Sequence, residues 1–191
     1  MSTPKDVLSF WLDEQGPKGW FTGGEALDAE IRDRFEPLWQ QAMQGGLREW
    51  LTDPSGALAY IILTDQFSRN MFRGTRAAFA SDRLALSVAK SVISKKWDLK
   101  IDGAARQFIY LPLMHSEILS DQGRCVRLIL TRMKESESNL LHARAHREVI
   151  RQFGRFPYRN DALDRRTTPT ENAYIQDGGY GMTVEAVKAT G

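Results

Sequence analysis

Along almost the whole chain the apolar residues recur three and four positions apart, and no run alternates apolar with polar for long enough to make a useful strand. A sequence with that one period buries its apolar surface by packing helix on helix, so the expected fold class is all-α. The punctuation agrees. Thr3-Pro4 with Asp6 and Asp53-Pro54 each pair an N-cap with a first-turn proline, and Thr168-Pro169-Thr170-Glu171 reads as another helix start. Gly16-Pro17, Gly45-Gly46, Gly74 and Gly154 read as stops. Further starts are expected at Asp28, Ser81-Asp82, Asp102, Ser120 and Ser138, with Pro37 kinking the helix it interrupts. Short connections between amphipathic helices favour antiparallel helix pairs.

At 191 residues the chain is long enough to bury about 70% of the surface its unfolded form exposes, so one core needs no metal or disulfide. A single all-helical domain over residues 1–191 is expected, with a loose tail from about residue 177, where DGGYG leaves the last helix. The formal charge of +2 argues against a broad nucleic-acid surface. The single cysteine, Cys125, suits a reducing compartment, and its stripe with Leu128 and Ile129 makes it a small buried hydrophobe. The N-terminus has no leader pattern, and the longest apolar run, ALAYIIL at 57–63, is too short for a bilayer. A cytoplasmic protein without a membrane partner is therefore expected.

Several polar residues project onto apolar faces. At about 100° per residue, His146 falls beside Val149, Ile150 and Phe153, and His115 beside Phe108, Leu111 and Ile118. Asp65 and Arg69, spaced i and i+4, share a stripe with Leu58, Ile61 and Ile62. Buried singly such groups cost several kcal/mol each, roughly, so they are expected to partner one another. Pro112 frees the carbonyl of Phe108 and bends the helix near His115, which could open a pocket. His142 and His146 have metal-chelating spacing but no third ligand on their face, and no cofactor fingerprint is present, so neither metal nor cofactor is expected. Trp11, Trp20, Phe21 and Trp39 read as core aromatics.

Charge gathers at one corner. Residues 142–166 hold seven arginines against three carboxylates, a net +4, around Gly154-Arg155-Phe156-Pro157-Tyr158-Arg159-Asn160. Arg144, Arg147 and Arg151 share an outward arc of the helix before it. A second corner, DQFSRNMFRG at 65–74, places Asp65, Gln66, Arg69, Asn70 and Arg73 where another helix ends. Guanidinium forks on short rigid turns suit bidentate capture of carboxylate or phosphate.

Three blocks of the sequence, LTDQFSRNMFRGT, FIYLPLMHSE and HREVIRQFGRFPYRN, closely resemble those of the bacterial family named domain of unknown function 924, and SFWLDEQ and GWF echo its N-terminal pattern. The resemblance implies a superhelix like that of tetratricopeptide repeats and no established activity. It matches Asp65, Gln66, Arg69, Asn70, Arg73, Gly74, His115, Ser116, Glu117, His146, Gly154, Arg155, Pro157, Arg159 and Asn160. At Tyr158 the family more often carries histidine.

The leading functional expectation is binding of a small anionic molecule or an acidic peptide end, with Arg69, Arg73, Arg155 and Arg159 as donors and Asp65, Gln66, Asn70 and Asn160 lining the site. The alternative is an enzyme in which His115 or His146 acts as general acid or base and Glu117 or Asp65 orients the imidazole. A third is a scaffold for protein or RNA.

Overall fold

The computed structural model describes residues 3–20 and 22–190, so the expected core position of Phe21 lies outside the described residues. The described residues are predominantly helical and contain no strand: the protein is all-α. The chain divides into two compact units, Met1–Pro112 and Leu113–Gly191.

The first unit opens with α1 (Pro4–Leu8), whose start is a capping box: the Thr3 hydroxyl accepts from the Asp6 amide and the Asp6 carboxylate accepts from the Thr3 amide. The chain continues as a π-helix, Ser9–Gln15, and Gly16, at φ +60°, turns it into the short α2 (Gly16–Gly19). Next come α3 (Glu25–Met43), which holds Pro37 in its interior, a 3-10 turn at Arg48–Thr52, and α4 (Pro54–Ile61), capped by Asp53. A second π-helix, Ile62–Phe67, runs on from α4 into α5 (Ser68–Met71). α6 (Asp82–Ser94) and α7 (Gln107–Met114) follow, and the division between units falls inside α7, after Pro112.

Aromatic rings hold the first unit together. Phe67 lies 4.8 Å from Phe35, 5.3 Å from Trp11 and 5.7 Å from Phe10, centroid to centroid. Trp20 meets Phe108 edge-on at 4.9 Å and donates its indole N–H to the Trp11 carbonyl. Ser81, expected to cap α6, makes no cap bond. Its hydroxyl instead donates to the Thr64 carbonyl and accepts from Trp39 Nε1 at 2.9 Å, tying α3 and the second π-helix together.

One glycine here is irreplaceable on steric grounds. A Cβ built on Gly56 would stand 2.2 Å from the Trp50 carbonyl oxygen, and backbone cannot move aside cheaply. Gly56→Ala should cost about 3 kcal/mol through overpacking. Gly123→Ala, where a Cβ meets nothing within 4 Å, should be neutral or stabilising by about 0.5 kcal/mol. Urea midpoints of the two variants beside the native chain check this; equal midpoints would show that the Trp50 turn yields.

In the second unit, α8 (Leu119–Arg132), α9 (Glu137–Phe153), α10 (Pro169–Gln176) and α11 (Gly179–Thr190) follow, and both α8 and α11 pack on α9. Two expectations are corrected. The helix through Phe108 does not run on to Ile118; it ends at Met114, because Gln122 donates its amide to the carbonyls of both Met114 and Ser116 at 2.6 Å and closes the turn. His115 thus stands just past a helix end, half-buried. The tail expected to be loose carries α11 over Gly179–Thr190. Buried Thr183 meets the Tyr174 hydroxyl at 2.9 Å, and Tyr180 packs against the core of Val149, Ile150, Phe156 and Tyr174.

Candidate functional site

In the first unit, the π-helix turns Asp65 wholly into the interior. Asp65 accepts from the Gln66 side chain at 2.5 Å and lies 3.4 Å from Arg69, so the expected i, i+4 pair is present. Arg69 also grips Asp82 with both Nη atoms, at 2.9 and 3.1 Å. Asn70 and Arg73 converge on Asp28: Asn70 Nδ2 and Arg73 Nη2 share Oδ1 at 2.8 and 2.9 Å, and Arg73 Nε takes Oδ2 at 2.7 Å. The guanidinium hydrogen bonds of Arg73 hold the Asp28 carboxyl below its ordinary range despite burial. This corner is thus internally paired through Asp28 and Asp82.

The second corner, in the second unit, is clasped in the same way. Gly154 ends α9 at φ +70°, a left-handed position suited to glycine. Arg155 then forks onto Glu171 at 2.6 and 2.8 Å, and the same carboxylate accepts from the Thr168 amide at 2.8 Å in the α10 capping box. Arg155, followed by Thr168, pulls the Glu171 carboxyl down to about 2 against the opposing effect of burial. Glu117 accepts the fork of Arg165 at 2.8 and 2.9 Å and the Phe156 amide at 2.9 Å. Burial raises its pKa, but Arg165 and the Phe156 amide outweigh it and leave Glu117 below its ordinary value. Both Glu117 oxygens hold the loop in place. Arg159, buried, donates to the His115 carbonyl at 3.0 Å and lies 4.3 Å over the Phe156 ring. Asn160 is buried and its amide points to Thr167 and Glu171.

Beside this clasp, the unit gathers histidines and tyrosines. The rings of His115 and His146 stand 6.4 Å apart. His146 Nδ1 lies 2.9 Å from the His142 carbonyl, one turn back on α9, which as an acceptor requires a proton on Nδ1. The Tyr180 hydroxyl bridges His146 Nδ1 at 2.9 Å and His142 Nδ1 at 2.7 Å. With Nδ1 of His146 protonated, Tyr180 donates to His142, and His146 Nε2 is left as the lone-pair nitrogen. None of the described residues gives Nε2 a hydrogen bond. Burial, reinforced by His115, pushes His146 down to about 3, and burial lowers His142 also. His146 packs edge-on against Phe156 at 5.4 Å, while Tyr158 stacks on Phe156 at 5.4 Å and meets Tyr180 at 6.1 Å.

The second unit therefore brings together His115, His146 and Arg159 from the sequence-predicted set, and adds His142, Tyr180 and, at the rim, Tyr158. Tyr180 lay in the supposed tail; its signal was an aromatic inside a glycine-rich exit. Among the described residues no group of three His, Cys, Asp or Glu side chains is placed to hold a metal ion. Burial pushes the Cys125 thiol up to about 12, leaving it no thiolate character at neutral pH. No helix among the described residues is long and apolar enough to cross a membrane.

An all-helical protein with carboxylate-clasped arginine corners and a half-buried histidine–tyrosine cluster is the class these observations define. Residues 7–179 match the family model described as bacterial protein of unknown function, DUF924, and the chain belongs to that family. A solved structure of a protein of unknown function from Agrobacterium tumefaciens is similar to it, with 37% identity and a TM-score of 0.86 over 92% of this chain and 97% of that one. No curated protein matches the chain.

Proposed function

We propose that the protein binds a small polar ligand at the histidine–tyrosine corner of its second unit, the ligand presenting an O–H or N–H donor to His146 Nε2. One observation carries this reading: the His142 carbonyl and the Tyr180 hydroxyl both face His146 Nδ1, which fixes the opposite nitrogen as an acceptor with no hydrogen bond from the described residues. Phe156, Tyr158 and Tyr180 supply aromatic walls.

An anionic ligand or acidic peptide end, held by Arg69, Arg73, Arg155 and Arg159, ranks behind it. Carboxylates of Asp82, Asp28 and Glu171 already take the forks of Arg69, Arg73 and Arg155, and an incoming anion would have to displace them. Catalysis with His146 as general base ranks behind as well, since a nitrogen that holds its proton only below about pH 3 is a weak base at neutral pH. A cytoplasmic setting, a single domain and superhelical stacking of the helices belong to the same proposal, on the single Cys125 and the family resemblance.

Thermal shift and histidine resonances against phenol, acetamide, ammonium, phosphate and citrate test it, with the native chain beside His146→Phe and Arg155→Lys. The neutral donors should raise the native midpoint and move the His146 resonances, and His146→Phe should abolish both effects. Stabilisation by phosphate or citrate alone, lost in Arg155→Lys and kept in His146→Phe, would restore the arginine-led reading.

A further inference from the structure

Two further arginines, Arg144 and Arg147, stand on the outward arc of α9. Arg144, Arg147 and Glu148 of α9 and Val187 and Thr190 of α11 line a depression of about 430 Å³, within the size range of small-ligand sites. Its one carboxylate is already engaged: Arg151 forks onto both oxygens of Glu148, Nε at 2.8 Å and Nη2 at 2.5 Å. The fork outweighs burial and holds the Glu148 carboxyl below its ordinary range. Arg144 is half-buried and Arg147 exposed, and neither makes an ion pair with a carboxylate among the described residues. Two guanidiniums one helical turn apart thus face a concavity whose only acid is neutralised by a third. The Thr190 hydroxyl at its edge is turned back onto the Ala186 and Val187 carbonyls, so the two arginines are the lining donors for an incoming group.

From this arrangement we infer that the α9–α11 depression is an oxyanion site, taking a phosphate or phosphomonoester group between Arg144 and Arg147. Planar forks suit such tetrahedral oxyanions, which accept two parallel hydrogen bonds from each guanidinium. The site is separate from the histidine corner and does not depend on it. Being open to solvent, it should bind weakly and lose affinity as salt rises.

The test is a backbone amide NMR titration of the full chain at low ionic strength with inorganic phosphate, adenosine monophosphate and acetate. The native protein should show saturable shifts at millimolar phosphate, confined to residues near 144–148 and 187–190. Affinity should fall at least about tenfold in Arg144→Gln/Arg147→Gln and stay unchanged in Arg127→Gln, an exposed arginine on α8. Both arginine variants alter accessible side chains, and unchanged spectra elsewhere will show that they fold. Tighter binding of the nucleotide would mark a phosphomonoester as the ligand, and equal binding a free phosphate. Shifts that grow without saturating, that spread to Arg124 and Arg127, or that survive the double substitution would overturn the inference, as would acetate binding as well as phosphate.

Discussion

Glu171→Ala should destabilise the second unit by about 3 kcal/mol, the upper end of what hydrogen bonds to a charged acceptor contribute. Glu171 is 3% exposed, and its removal leaves the Arg155 fork and the Thr168 amide without their acceptor. The contrast is Arg151→Ala. Arg151 makes an equally good fork onto Glu148, but those two side chains are 66% and 38% exposed against 30% and 4% for Arg155 and Glu171. The exposed pair should be worth far less, because solvent screens it. Denaturant unfolding followed by Phe156 amide exchange separates the two cases; similar losses would mean that the clasp is no more than a surface ion pair. Because the Glu171 carboxyl is depressed to about 2, its contribution is complete above its ordinary pKa and lost as pH falls through the range down to about 2.

A second large effect comes at milder acidity. His146 is neutral when folded, with its pKa pushed down to about 3 from an ordinary value of 6.5. Between those values the unfolded chain holds a proton that the folded one lacks, so stability falls as pH drops below 6.5. At about 1.4 kcal/mol per pH unit for one proton, this amounts to roughly 2 kcal/mol by pH 5. Measured urea midpoints from pH 7 to pH 4 should decline in the native chain and run flatter in His146→Phe, which keeps the ring packing and removes the titration. Parallel declines would assign the acid limb to other groups, His142 and the carboxylates among them.

What the sequence made legible was local. The Thr168–Glu171 capping box, the Asp53-Pro54 helix start and the Gly154 stop depend on residues within a turn of one another, and each stands where expected. The site's chemistry depends on pairs far apart in the chain. The +4 of residues 142–166 implied arginines in want of an anion, yet Glu171, which takes the fork of Arg155, lies just past that window, and Glu117, which takes the fork of Arg165, lies well before it. Asp28 reads as a helix start; the helix opens at Glu25, and Asp28 serves as the acceptor for Asn70 and Arg73. Regular helical projection aimed both His115 and His146 inward, and their rings do approach. It missed that α7 ends at Met114, because the amide that closes the turn comes from Gln122 on the next helix. The π-helical turns at Ser9–Gln15 and Ile62–Phe67 leave no mark in a periodicity based on about 3.6 residues per turn.

The central claim is that His146 presents a neutral, unprotonated Nε2 to a ligand, and a long-range proton–nitrogen NMR spectrum of the protein labelled with ¹⁵N-histidine tests it most directly. At pH 7 His146 should show a protonated Nδ1 and a pyridine-like Nε2, His142 should show the opposite tautomer, and His146 should stay neutral down to about pH 4. A His146 that carries its proton on Nε2, or that titrates near the ordinary value for histidine, would contradict the account.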